Sequence, residues 1–421
     1  MRKLLIVDPT LISLEGHSFN YDAAICEAAR GRFDQVVVYA DRHFSDPSGR
    51  IADCRPVLNR LRLEKLKRAV NALFHPFRRR SGERAGHAAH STIVPNVWPW
   101  LIRAAKALRA ADLSYSMRRI LREHEGAEVH LLLQHAHFSE LVLADRLDTG
   151  PGVHLHLVLR YSPDLVNSGQ MPGAEFGRLL ARLGESRQPR VHLYTDSERL
   201  SGEYAALSRG QVTTLPVPLP IAEVHSPEKS RGDVSVAFLG ASRVEKGFCE
   251  LPALIERFPP GLRAMVQVAR DSADPRIRTA VGELDALATR LPGRVELLES
   301  PVPSDVYYRW IASTDIVALP YLSTKYNAST SGIFVEAVCF GVPVICPAES
   351  WMADVMRDAA QNTRLRIGEV IATVGELPAA AARIAASLDQ YRAAVGEFAR
   401  IWRKTHNADE CVNLLLRASA S

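Results

Sequence analysis

Residues 329–346 read Ser-Thr-Ser-Gly-Ile-Phe-Val-Glu-Ala-Val-Cys-Phe-Gly-Val-Pro-Val-Ile-Cys and place two kinds of chemistry side by side. The polar turn Ser329, Thr330, Ser331, Gly332 opens a short apolar helix, predicted over 333–340. A helix start of that composition presents unpaired backbone N–H groups, which suit an anion such as phosphate. Inside the apolar helix stands one carboxylate, Glu336, which is costly to bury unless something specific hydrogen-bonds to it. Gly341 and Pro343 end the helix before a β-branched run. Together these residues describe a pocket for a phosphorylated, hydroxyl-rich ligand.

A second segment, Phe238-Leu-Gly-Ala-Ser-Arg-Val-Glu-Lys-Gly-Phe248, supports that chemistry. A strand leads into a turn through Gly240, the cations Arg243 and Lys246 follow, and a helix is expected to open at Gly247. Two cations there could neutralise a diphosphate. The order Gly-Lys-Ser/Thr of a Walker loop is missing. The plainer alternative is a solvated turn with local ion pairs. In the first half, three successive predicted strands each end in polar residues: His135 and His137, Arg160 and Tyr161, Asp196 and Ser197. Side chains at such positions could orient a ligand hydroxyl or stabilise developing charge, and His135, His137 and Arg160 are the candidate catalytic groups. A hydrogen-bonded structural role is the alternative for each histidine. Gly16, in the turn beyond the first strand, would let backbone approach a phosphate closely.

Predicted strands at 3–7, 35–39, 129–134, 155–159 and 191–195 alternate with helical patterns at 21–30, 102–123, 140–147 and 198–207. A Pro-rich stretch, Leu215-Pro-Val-Pro-Leu-Pro220, suits neither a helix nor a sheet interior. The strand signals restart at 234–239 and continue at 264–268, 295–297, 316–319 and 342–345. Between them lie helical patterns at 247–257, 276–290, 304–312, 333–340 and 378–404. Alternation of this kind predicts an α/β fold with parallel sheets. The expected organisation is a first domain over 1–218, a linker over 219–233, a second domain over 234–395, and a helical segment over 396–421. Each domain is Rossmann-like, and ligands of such sheets bind outside the carboxyl ends of the strands.

At 421 residues the chain exceeds a single core. Its 47% hydrophobic and 24% charged content is ordinary for a globular protein. No apolar run approaches the roughly 20 residues of a membrane span. Six scattered cysteines, with no Cys-x-x-Cys, predict a reducing cytoplasmic setting. The net charge of +5 is concentrated in 60–84, where nine Lys or Arg face two Glu. Leucines and phenylalanines interleave with those charges, so residues 60–80 suit the inner face of an anionic membrane or an ordinary domain surface. The patch is local and carries no base-stacking motif, which argues against nucleic acid.

The motifs Gly240…Arg243-x-x-Lys246-Gly247, Asp315-Ile-Val-Ala-Leu-Pro-Tyr321 and Ser331-Gly332…Glu336…Gly341-Val-Pro343 together resemble the nucleotide-sugar domain of GT-B glycosyltransferases. The resemblance is to family 4 of the retaining enzymes. Gly16-His-Ser-Phe-Asn-Tyr21 and Trp402-x-x-Thr-His406 extend it, more weakly, to the chain's two ends, and the second implies that the segment over 396–421 crosses back to the first domain. The resemblance implies two Rossmann-like α/β/α domains facing a central cleft. It also implies transfer of a sugar from a nucleotide-diphosphate donor to a hydroxyl of a glycan or lipid-linked acceptor, with no metal or other cofactor. Glu336 would hydrogen-bond the ribose hydroxyls, and Gly16, Gly240, Arg243, Lys246, Ser329, Thr330, Ser331 and Gly332 would line the donor site. Two departures stand out: Ala328 replaces the family's earlier glutamate, and Ala241 stands where the family's loop carries its arginine. A non-catalytic module that binds nucleotide or glycan, and a sugar-nucleotide epimerase, are the alternative readings.

Overall fold

The computed structural model describes residues 1–14, 17–58, 111–147, 149, 152–186, 190–219, 232–322 and 326–420. Its strands are β1 (Arg2–Asp8), β2 (Gln35–Asp41), β3 (Cys54–Leu58), β4 (Glu128–Leu133), β5 (Val153–Leu159), β6 (Arg190–Thr195), β7 (Val212–Thr214), β8 (Val234–Phe238), β9 (Leu262–Val268), β10 (Val295–Glu299), β11 (Ile316–Ala318), β12 (Val344–Pro347) and β13 (Gly368–Ile371). They form two sheets, ordered β3-β2-β1-β4-β5-β6-β7 and β10-β9-β8-β11-β12-β13. The pairings within both are parallel. In each sheet the order reverses direction beside the first strand, which opens a crevice at the carboxyl ends.

Helices cover both faces of each sheet, which is why the central strands read as nearly continuous apolar runs rather than alternating ones. Leu5, Val7, Leu131, Leu157 and Leu193 pack on one face of the first sheet, and Leu4, Ile6, Val38 and Leu132 on the other. In the second sheet Ala237, Val317 and Val344 face one cluster, and Val236, Ile316 and Ile345 face the other.

The Pro-rich stretch joins the two bodies. Leu215 is buried in the first, and Val217 and Leu219 in the second. Near the C-terminus the chain returns. The helix Leu388–Thr405 packs Val395 and Phe398 into the cluster around the helix Gly332–Cys339. Trp402 stacks on His406 with ring centroids 4.0 Å apart, and His406 Nδ1 accepts from the Val217 N–H at 3.3 Å. The helix Ala408–Ala420 then buries Cys411, Val412 and Leu415 against Leu4, Ile6 and Ile25 of the first body.

Several expectations need correction. The single helix over 378–404 is two, Leu377–Ala386 and Leu388–Thr405, broken at Ser387 where ψ turns to 33°. The helix expected to open at Gly247 is a pair of short 3₁₀ turns around that glycine, followed by Leu251–Glu256. Strands β3, β7 and β13 were not foreseen. The basic stretch 60–84 and nearly all of the expected linker fall outside the described residues. No helix among the described residues is long and apolar enough to cross a membrane.

At the amino-terminal ends of β4, β5 and β6 lies a buried histidine cluster. His130, His154, His156 and His192 stack across the three strands, with His130 and His156 at 5.3 Å and His156 and His192 at 4.9 Å between centroids. The Glu128 carboxylate only accepts, so His130 donates to it through Nε2 (3.2 Å). His130 Nδ1 then accepts from His156 Nε2 (3.2 Å), and His156 Nδ1 accepts from the Tyr194 hydroxyl (3.0 Å). The imidazoles are therefore paired as neutral groups. Burial, followed by the neighbouring imidazoles, pushes His156 well below its ordinary range and His192 down to about 4. His154 is likewise at about 4, by burial first.

A histidine whose folded-state pKa is depressed leaves the unfolded chain binding more protons as pH falls. Stability from this cluster is full above the ordinary value of 6.5 and is lost as pH drops toward 4. The expected result is a urea midpoint that falls across that window. The H154Q/H192Q variant should show a shallower fall than the parent. An equal slope in both proteins would remove the cluster as its cause.

Candidate functional site

The carboxyl ends of the two sheets face one another across a cavity of about 620 Å³. The wall from the second sheet is built by the two segments that the sequence singles out. After β8 the chain turns at Gly240, whose φ is +96°. A Cβ there would meet Ile333 Cδ1 at 2.5 Å and Lys246 Nζ at 3.0 Å. Gly240 donates its N–H to Gln267 Oε1 (2.7 Å), and Gln267 Nε2 donates to Ser300 Oγ (3.3 Å). Arg243, 3.8 Å from Glu245 and half exposed, and Lys246, whose Nζ lies 5.6 Å from the Tyr321 ring centroid, complete the loop. Gly247 closes it in the left-handed region at φ +74°, packed so tightly that a Cβ would lie 2.0 Å from Pro320 O.

Opposite this loop begins the helix Gly332–Cys339. Ser331 caps it by accepting from the Phe334 N–H at 3.3 Å and is in turn 3.1 Å from the Tyr321 hydroxyl. Gly332 and Ile333, the first-turn residues, line the cavity beside Lys246 and Arg243. One turn further, Glu336 is 1% exposed, and its Oε2 accepts from the Tyr307 hydroxyl at 3.0 Å. Tyr307 therefore supplies a partner for the buried carboxylate. Burial, then the Glu336 charge, holds the Tyr307 phenol well above its ordinary range, so it stays a donor. The wall thus offers two cations, a helix N-terminus and a buried acceptor, a set suited to a diphosphate with hydroxyls beyond it.

The first sheet supplies the facing wall. Arg160 follows β5 and is nearly buried. It donates from Nε to Gln134 O (2.9 Å), from Nη2 to Gln134 Oε1 (3.0 Å) and from Nη1 to Asp196 Oδ2 (3.2 Å). Gln134 Nε2 in turn donates to Asp22 Oδ1 (3.2 Å). Burial, then the Asp8 charge, raises Asp22 well above the usual carboxylate range. Asp196 also accepts from the Thr330 hydroxyl at 2.5 Å, so a hydrogen bond crosses the cavity's floor between the two bodies. Burial raises the Asp196 carboxyl against the opposing pull of Arg160 and Thr330. Three further bonds cross at the same seam: Ser329 Oγ to Arg160 O (2.9 Å), Ser197 Oγ to Ala328 O (2.6 Å) and Arg199 Nη1 to Asn327 O (2.6 Å).

Of the sequence-predicted residues, the cavity brings together His135, Arg160, Gly240, Arg243, Lys246, Ser329, Thr330, Ser331, Gly332 and Glu336. Arg160 lines the cavity while three of its N–H groups are bonded to Gln134 and Asp196, which fixes the position of the guanidinium. His137 stands outside the lining: its ring stacks on Tyr161 at 5.6 Å, and its N–H donates to Glu140 Oε2 at the start of the helix Phe138–Arg146. Gly16 lies outside the described residues. Sequence reasoning missed Gln267, Ser300 and Tyr307, which reach the cavity from β9, the loop after β10 and the helix Ser304–Ser313.

Away from the cavity, the donor atoms of Glu128, His130 and His154 lie within 4.8 Å of one another. The two rings stack at 17°, so their lone pairs lie in nearly parallel planes, and the carboxylate is held by Arg2 and His130. That geometry suits the hydrogen-bonded network better than a converging metal site.

No protein-family model matches the chain, and no curated protein matches it in sequence. Its fold is nonetheless shared with solved structures. Trehalose-6-phosphate synthase OtsA superposes with a TM-score of 0.65 at 11% identity, covering 99% of both chains. HepE (Alr3699) of Anabaena, solved with UDP, gives 0.59 at 12% identity over 100% of both chains. WaaG, a glycosyltransferase involved in lipopolysaccharide biosynthesis, gives 0.57 at 14% identity, again over 100% of both chains. The architecture is that of the GT-B fold, two Rossmann-like domains with parallel sheets.

The glycine at the end of the cation loop provides a direct test of the wall's construction. Gly247→Ala places a methyl against backbone and should cost more than about 3 kcal/mol in a urea titration. Gly261→Ala has the same sign of φ but nothing within 4 Å, so only the left-handed strain of about 1–2 kcal/mol applies. Equal losses at the two positions would contradict the close approach to Pro320.

Proposed function

We propose that the protein is a glycosyltransferase that moves a sugar from a nucleotide-diphosphate donor to an acceptor hydroxyl. The observation that carries this reading is the second sheet's wall. Lys246, Arg243 and the start of the helix Gly332–Cys339 converge on one cavity, with the buried Glu336 one turn behind them. A leaving diphosphate gathers negative charge as its bond to the sugar breaks, and two cations plus backbone N–H groups stabilise that charge without a metal. Glu336 accepts from ribose hydroxyls, with Tyr307 holding the carboxylate in place. His135, on the facing wall, orients the acceptor hydroxyl. The resemblance to family 4 supports retention of configuration, with the departing phosphate taking the acceptor's proton.

Solved neighbours support the donor class, since HepE of Anabaena has been crystallised with UDP, with UDP and glucose, and with UDP-glucose. We extend the reading to a glycan or lipid-linked acceptor met at the inner face of a membrane, with residues 60–80 as the basic contact. A second reading, a binding module without turnover, is favoured by one observation: the 327–330 turn brings no acidic side chain to the cavity, with alanine at 328.

The test is a thermal-shift panel of UDP, GDP and ADP with their sugars, because a ligand specific for the native state raises its melting temperature. One nucleoside diphosphate should stabilise the protein. Lys246→Ala should weaken that binding by about 1.5–3 kcal/mol, the usual worth of a hydrogen bond to a charged group. No stabilisation by any nucleotide would overturn the donor site. Stabilisation without release of nucleoside diphosphate from any sugar nucleotide, across an acceptor panel, would favour the binding module.

A further inference from the structure

We propose that Ser300 donates its hydroxyl proton to an acceptor atom of the bound nucleotide, a phosphate oxygen or a carbonyl oxygen of the base. Gln267 is the positioning residue that sets this polarity. Both assignments rest on the donor-site reading above and add a neutral, directional donor to its two cations.

Gln267 stands near the carboxyl end of β9, is 7% exposed and bridges two loops that line the cavity. A backbone N–H can only donate, so the atom facing the Gly240 N–H at 2.7 Å is the Gln267 oxygen. The amide nitrogen then faces Ser300 Oγ at 3.3 Å, and it too can only donate. Ser300 therefore accepts from Gln267 with one lone pair and must place its own proton elsewhere. No acceptor for that proton lies among the described residues. Ser300 lines the cavity and is partly exposed, so the proton is offered to whatever the cavity holds. The main chain there is held as well, by the bond from the Ser300 N–H to Val268 O at 2.9 Å.

The position of this donor suits a nucleotide. At one end of the bridge a Cβ on Gly240 would lie 3.0 Å from Lys246 Nζ, so the bridge starts beside the cation loop. At the other end the chain runs from Ser300 through Pro301 and Val302, which also line the cavity, into the helix that carries Tyr307, the partner of Glu336. Ser300 is thereby linked both to the cation assigned to phosphate and to the carboxylate assigned to ribose. Phosphate and base carbonyl oxygens carry lone pairs and no proton, which is what a fixed donor recognises. A ligand without such an atom at this place leaves the hydroxyl desolvated and unpaired.

The experiment measures dissociation constants of UDP, GDP and ADP for the parent protein and its Ser300 and Gln267 variants. Ser300→Ala should weaken the preferred nucleoside diphosphate about five- to tenfold, the worth of one such hydrogen bond. Ser300→Thr keeps the hydroxyl and should bind as the parent does. Ser300→Cys keeps the volume with a weak donor, should lose a factor comparable to alanine, and serves where the alanine variant does not fold. Gln267→Glu replaces the donating nitrogen by a second accepting oxygen, so Ser300 turns its proton inward. That change also adds charge near the diphosphate, and the Q267E/S300A variant separates the two effects. Adding Gln267→Glu to Ser300→Ala should cost about five- to tenfold less than adding it to the parent. A Ser300→Ala loss shared by all three diphosphates assigns the proton to phosphate, and one confined to a single base assigns it to that base's carbonyl. Parent-like affinity in Ser300→Ala and Ser300→Cys overturns the proposal. So does a loss in Ser300→Thr equal to that in Ser300→Ala, or full multiplication of the Gln267→Glu and Ser300→Ala losses. A parent that binds no nucleoside diphosphate is a different result and overturns the donor-site reading itself.

Discussion

A single guanidinium organises the space between the two sheets. Arg160 emerges from the carboxyl end of β5 and engages Gln134 beyond β4 and Asp196 beyond β6, so one side chain ties together three neighbouring strand ends. A cation taken this far from water needs a compensating charge, and removing one member of such a pair leaves the other exposed to the full desolvation penalty. Asp196 provides the compensation and also accepts from Thr330 of the second body. The charge pair that settles the first wall thereby fixes where the second wall begins.

The second wall depends on a different constraint, two turns at which the chain passes too close to its neighbours for a Cβ. Gly247 lies against Pro320, and Gly240 lies against Ile333 and Lys246. These contacts bring the cation loop beside the first turn of the helix Gly332–Cys339, so that side-chain charge and the helix start line one cavity. Neither contact is electrostatic, yet together they decide where the electrostatics act. Tyr307 and Gln267 complete the arrangement by satisfying Glu336 and the Gly240 N–H, respectively.

This division explains what could be read from the sequence. Parallel strands buried on both faces are written as runs such as Leu4–Leu5–Ile6–Val7, and glycine, cation and helix-start motifs lie within a few residues of one another. The α/β architecture and the second wall are therefore local statements. The first wall is not. Arg160 was visible as an ionisable residue at a strand end, but its partners are 26 and 36 positions away, and only the assembled sheet shows which loops three of its N–H groups hold. His137 occupies an equivalent position one strand earlier and instead starts a helix and stacks on Tyr161. Gln267, Ser300 and Tyr307 come from separate crossovers and carry no local signature. Short β13, with only Gly-Glu-Val-Ile, has too little pattern to stand out from its surroundings.

The alanine at 328 fits the same physical scheme. Its carbonyl accepts from Ser197, the neighbour of Asp196, and its side chain is buried at the seam. That bond uses the main chain, so it makes no demand on the residue type at 328 beyond a size the seam accommodates. A glutamate there would introduce a second carboxylate into the seam that already buries Asp196. Two like charges in one desolvated region cannot both remain ionised at little cost. Arg160 and Thr330 already satisfy one oxygen of Asp196, whereas a new acid at 328 would need donors of its own. With a single carboxylate at this end of the cavity, small residues along 328–330 and an aspartate on the opposite wall are the compatible combination.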